Sequence, residues 1–124
     1  MPRERKKGRG APTPAPTNTR PAVTVRSQPT GDGRLRVTVT AGCGAIQTIT
    51  IGAGSAAITN AVVEIEGGPR GIVGSRTVSM PGGATTATLY ITRQQAGQAT
   101  TVPLTIVDGC GEWRTFVGGG PTAF

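Results

Sequence analysis

The chain has 124 residues, enough for one domain with a modest core, and 20 Gly and 10 Pro residues beside many Thr, Val and Ile favour strands and turns. Histidine is absent, which excludes a Ser-His-Asp or Cys-His catalytic arrangement. No apolar run approaches the roughly 18 residues of a membrane-spanning helix, so none is predicted.

The formal net charge of +7 is concentrated at the N-terminus. Residues 1–20 carry six basic side chains and one acidic one, a net +5, and leave only +2 for the remaining residues, which show no obvious basic face. A polyanion could bind this cluster weakly, without sequence specificity and in a salt-dependent way. The alternative is a solvated tail beside a linker. The residues concerned are Arg3, Arg5, Lys6, Lys7 and Arg9.

Residues 1–21 are predicted to be a disordered basic and Pro/Thr-rich tail or linker, because they hold too few apolar side chains to offset the entropy of ordering. The opening MPRERKKGRG leads into APTPAPTNTRP and not into the apolar region of an export signal. Three interpretations stay open: the protein remains inside the cell, it leaves by another route, or Met1 is an internal start.

From residue 22 onwards, short runs alternate between apolar and polar residues, and Gly- or Pro-rich turns interrupt them. This pattern predicts an all-β domain over 22–124, a single antiparallel Ig-like or fibronectin-like β-sandwich of seven or eight strands. The predicted strands are 22–26, 34–40, 46–51, 57–66, 73–80, 85–93, 100–107 and 113–117.

Within these runs, one alternating set of apolar side chains is expected to form the core. Ile46 is expected to face away from Ile49. Pro103 lacks an amide hydrogen, so its strand is expected at a sheet edge, or with that position facing out. The predicted core residues are Leu35, Val37, Val39, Ile49, Ile51, Leu89, Ile91, Val102, Leu104 and Ile106.

The two cysteines, Cys43 and Cys110, each follow a predicted strand within a Gly-Cys-Gly context. Two strand exits could meet at one end of a sandwich, which favours a disulfide; the alternative is two free thiols in a reducing compartment. Glu64 and Glu66 share a face of a strand but are interpreted as solvated, and the Gly-rich segments as turns. We therefore predict no enzyme, no cofactor and no metal site.

The last segment contains the only Trp and both Phe residues, and it is predicted to carry the terminal packing contacts. Trp113 and Phe116 lie three residues apart, so in a strand one enters the core and the other stays near the surface. Phe124 is expected to dock against the domain, with a protruding recognition hook as the alternative.

The ending VPLTIVDGCGEWRTFVGGGPTAF, after a Pro/Thr-rich linker and a Thr-rich strand pair, resembles the C-terminal Ig-like module of large bacterial secreted and cell-surface proteins. The similarity covers about 21–124 and is most specific over 108–124. It implies a non-enzymatic, terminal β-module placed outside the cell, although members of this family are expected to follow an export signal.

Two functional hypotheses follow. The first is a structural or adhesive module of the bacterial cell surface or exterior, with a protein or surface polymer as partner. The second is a virion-associated or intracellular binding protein, of the phage-decoration type, whose basic arm contacts nucleic acid or an acidic surface in the cytoplasm or virion. The oligomeric state stays open.

Overall fold

A computed structural model of the chain describes residues 21–52 and 57–120. Within these ranges there are eight β-strands and no helix, and so no helix long and apolar enough to span a bilayer. The all-β prediction is confirmed. The strands are β1 (Thr24–Pro29), β2 (Arg34–Thr40), β3 (Thr48–Ile51), β4 (Ala61–Ile65), β5 (Arg76–Ser79), β6 (Thr86–Arg93), β7 (Thr100–Asp108) and β8 (Gly111–Gly119).

The strands form two four-stranded antiparallel sheets. Sheet one has the order β1-β2-β6-β4, and sheet two has the order β5-β3-β7-β8. Only the β1–β2 and β7–β8 connections are hairpins within one sheet; each other connection crosses from one sheet to the other. Apart from β5, the chain follows the ABED and CFG order of a constant-type immunoglobulin sandwich, and β5 is added beside the strand that corresponds to C.

The core lies between the two sheets and consists almost entirely of Val, Ile and Leu. All ten predicted core residues are confirmed as buried, because strand side chains alternate strictly between the two faces. Ile46, expected on the opposite face, is also buried. It precedes β3, where the backbone is not yet a regular strand and the alternation does not apply.

Of the two alternatives for Pro103, the sheet-edge position is wrong, since β7 lies between β3 and β8. Its carbonyl accepts a hydrogen bond from the Gly52 amide at 2.9 Å, just beyond the end of β3. Farther along, β7 contacts the chain again where Thr101 pairs with Thr59. In antiparallel pairing, the N–H and C=O of one residue face the same neighbouring strand. The position where Pro103 lacks an N–H therefore faces the gap between the Gly52 contact and the Thr59 contact, where no hydrogen bond is lost.

The interior position of Leu89 on β6 provides a test of this core. Truncating Leu89→Ala removes methyl groups from a fully buried site and is expected to lower the free energy of unfolding by about 3 kcal/mol. The control Val73→Ala, at a position 57% exposed, should change it by less than about 0.5 kcal/mol. Urea denaturation of both variants measures the difference, and equal stabilities would show that Leu89 does not contribute as a core residue.

Candidate functional site: the disulfide-linked end

A disulfide and a buried carboxylate meet where the exit of β2 contacts the β7–β8 hairpin. Cys43 and Cys110 form a disulfide across a sequence separation of 67 residues, with 5.9 Å between their Cα atoms. Cys110 is in the two-residue turn between β7 and β8, and Cys43 follows β2. The bond therefore joins sheet one to sheet two. It connects the strands that correspond to B and F of an immunoglobulin domain, but at the end of the sandwich.

Asp108, the last residue of β7, is buried at 2% exposure beside this disulfide. Its Oδ2 accepts hydrogen bonds from the Gly42 and Cys43 amides, at 2.9 and 3.2 Å. Its Oδ1 accepts one from the Cys110 amide at 2.9 Å. Because burying a carboxylate is costly unless hydrogen bonds replace its hydration, these donors explain how the structure tolerates the charge.

The glycine that precedes each cysteine lies where the two backbones approach closely. A Cβ on Gly42 would lie 2.3 Å from the Pro21 carbonyl oxygen, and one on Gly109 would lie 3.1 Å from the Cys43 oxygen. The Gly109 amide also donates to that Cys43 oxygen at 3.0 Å. Both cysteine segments are thus held by hydrogen bonds between the two sheets as well as by the disulfide.

A second polar centre, at Asn60, was not anticipated from the sequence. Asn60 has a φ of 55°, a left-handed conformation that Asn tolerates better than most residues. Its side-chain amide nitrogen donates to the Gln95 and Gln98 carbonyls at 3.0 and 3.2 Å, and its Oδ1 accepts from the Gln95 amide at 2.7 Å. These bonds fix the β6–β7 loop, a structural role.

The outer face of sheet one carries a basic cluster, contrary to the expectation from net charge. The pairing register places Arg26, Arg34 and Arg36 on one face together with Tyr90. The Arg34 guanidinium lies 4.6 Å from the centre of the Tyr90 ring, and Asp32 lies 3.4 Å from the same arginine. The net charge of +2 outside residues 1–20 did not indicate this cluster, because the acidic residues that reduce the net charge lie elsewhere or are paired.

Of the predicted terminal contacts, two fall in the described part of the chain. Trp113 packs partly buried against the core, whereas Phe116 is 66% exposed on the opposite face of β8. Gly118 follows at a φ of 144°, and a Cβ there would lie 2.0 Å from the Thr100 oxygen. Phe124 and the cationic residues Arg3, Arg5, Lys6, Lys7 and Arg9 lie outside the described residues.

The acidic residues considered for chemistry do not converge. Glu64 lies 3.5 Å from Arg70 on the outside of sheet one, and Glu66 follows the end of β4. Among residues 21–52 and 57–120, no group of three or more His, Cys, Asp or Glu side chains could hold a metal ion. The described acidic side chains that have partners therefore pair with nearby arginines or accept hydrogen bonds from backbone amides, and they do not meet at one site.

Comparisons with known proteins give a likeness of fold. No family model and no curated protein matches the chain. A solved structure does match: the solution NMR structure of residues 27–141 of a conjugate transposon protein from Bacteroides vulgatus, with a TM-score of 0.55. It is 16% identical, and the match covers 86% of this chain and 90% of that one. This similarity shows the β-sandwich fold alone.

The Asp108 site predicts a specific loss of stability. The substitution Asp108→Asn keeps one acceptor oxygen but replaces the other oxygen with an NH2 group, a donor that faces backbone amides. We expect the free energy of unfolding to fall by about 2 kcal/mol or more, since buried donors lose their acceptor. The matched control is Asp32→Asn in the exposed β1–β2 turn, expected within about 0.5 kcal/mol. Equal effects of the two variants, measured by urea denaturation, would contradict this account.

Proposed function

We propose that the chain is a non-enzymatic structural or adhesive β-sandwich module of the bacterial cell surface or exterior. The observation that supports this most directly is the Cys43–Cys110 disulfide, because disulfides persist in oxidising compartments and are rare in the cytosol. Both cysteine amides donate to the buried Asp108 carboxylate, so the bond is an integral part of the fold.

The side chains fit a role in holding and contacting better than one in catalysis. Asp108 is the carboxylate buried most deeply in the described residues, and three backbone amides surround it. Its charge is used to join the two sheets. The outer faces, by contrast, present threonines, the Arg-Tyr cluster and Phe116, side chains suited to contacting another surface.

The bacterial setting is proposed from two weaker supports. The structural neighbour is a bacterial protein described as a conjugate transposon protein, which is compatible with this setting. The resemblance of the C-terminal segment to modules of secreted proteins adds the expectation of a terminal position. Under this proposal the partner is a protein or a surface polymer.

The test examines the protein in intact cells of its own source. Free thiols are blocked with an alkylating reagent before lysis, and a membrane-impermeant amine label reports exposure to the exterior. We expect no alkylation of Cys43 or Cys110, and labelling of the intact cells to equal labelling after lysis. A cytoplasmic marker protein, which should be labelled only after lysis, controls for leakage.

Two free thiols together with labelling only after lysis would contradict the proposal and favour the intracellular alternative. Recovery of the protein in purified phage particles would instead favour the virion-associated alternative.

A further inference from the structure

β8 is the longest unprotected edge of the sandwich. It pairs with β7 over nine residues, and within residues 21–52 and 57–120 no strand lies on its other side. The two-residue turn between Asp108 and Gly111 makes this pair a hydrogen-bonded one, so bonding towards β7 falls on alternate residues. The backbone N–H and C=O groups of Arg114, Phe116 and Gly118 therefore point outwards, away from β7.

The other three sheet edges are shorter or blocked. β5 has four residues, and β1 has six and ends in Pro29. β4 is covered by the segment that follows it, because Val63 and Ile72 exchange two backbone hydrogen bonds of 2.9 Å. Proteins shield edge strands by such means, whereas β8 has nine residues and no proline, and its two charged side chains, Glu112 and Arg114, lie 3.4 Å apart. This contrast indicates that β8 is available for pairing.

The side chains beside this edge also favour an occupant. Phe116 is the most exposed large apolar residue in the described chain, at 66%. An open groove of about 520 Å³ runs between β8 and the edge of sheet one, with Val25 and Val117 among its lining residues. The β8 edge of sheet two and the β1 edge of sheet one therefore both leave apolar surface accessible on this side of the sandwich.

We propose that the occupant is a second copy of this chain, whose β8 pairs antiparallel with β8 across a two-fold axis at Thr115. Only the even-numbered residues of β8 direct bonding groups outwards, so they must face even-numbered residues of the second copy. Centred on Thr115, this register pairs all nine residues and sets each Arg114 opposite Phe116 of the other copy. The result is an eight-stranded sheet, whose formation also brings the two grooves together.

The electrostatics of the strand favour this register over its neighbours. A guanidinium opposite an aromatic ring is an attractive pair, and the chain already contains one in Arg34 over Tyr90. Moving the axis to Arg114 would place two arginines opposite each other, a repulsive arrangement. Moving it to Phe116 would shorten the overlap and leave Arg114 opposite Gly118. Arg114 also lies 3.4 Å from Glu112 in its own strand, so the edge carries little net charge.

Sedimentation equilibrium of the full chain, over two orders of magnitude in concentration up to about 1 mM, tests the pairing. The wild type is expected to show a concentration-dependent dimer. Phe116→Lys should weaken it about tenfold or more, because the symmetric pairing creates two Lys-Arg contacts. The control Val73→Lys replaces another exposed apolar residue, away from β8, and should leave the dimer unchanged.

A charge exchange tests the register itself. Combining Arg114→Glu with Phe116→Lys gives opposite charges at both symmetric contacts and should restore dimerisation to near the wild-type level. Circular dichroism and thermal melts establish that each variant is folded, as expected for substitutions on the exposed face of β8.

A wild type that stays monomeric at every concentration would overturn the inference, as would a dimer indifferent to Phe116→Lys. A double variant that is not restored would overturn the Thr115 register. Binding of an extended synthetic peptide by a monomeric wild type would show that the occupant is a foreign strand. This inference does not depend on the exterior location, so either proposal can fail alone.

Discussion

The connection between the two sheets at the β7–β8 hairpin is the constraint on which the rest of the structure most depends. The Cys43–Cys110 bond and the Asp108 carboxylate both join the exit of β2 to the end of β7. These elements are far apart in sequence and belong to different sheets. Fixing them positions the hairpin, so that β8 leaves the turn paired with β7 and places Trp113 over the core.

The two means of connection differ physically. The disulfide acts mainly on the unfolded chain, whose freedom it restricts, whereas the Asp108 hydrogen bonds act in the folded state, where they replace lost hydration. The core itself contains mainly Val, Ile and Leu side chains of modest size, and no aromatic residue is fully buried among those described. In a small sandwich with such a core, a disulfide and buried hydrogen bonds at one end contribute a comparatively large share of the free energy of unfolding.

Alternation in the sequence was sufficient to predict the fold class and ten buried residues, because a period of two is a local property of every strand. The predictions that failed concerned properties that depend on distant parts of the chain or on where a strand begins. A sheet edge was one of two alternatives for the strand of Pro103, because its own run could not show that β8 would pair on the far side of β7. Ile46 was misassigned because the pattern extended a strand that starts at Thr48.

The polar features were harder to predict than the core. The cysteines could be paired from their positions after strands, but nothing local showed that Asp108 would turn inwards; only its place directly before a Gly-Cys-Gly turn was a signal. The basic face of sheet one required the pairing register, which brings Arg26 of β1 beside the arginines of β2. Asn60 could have been suspected, since Asn is a residue that adopts the left-handed conformation.

The Cys43–Cys110 disulfide is an integral support of the fold, and the stability of the oxidised and reduced forms tests this most directly. Urea denaturation with and without reductant should show the oxidised chain to be more stable by about 4 kcal/mol, the value expected for closing a loop of this length. A variant with both Cys43→Ser and Cys110→Ser should be insensitive to reductant. Equal stability of the oxidised and reduced wild type would contradict the account.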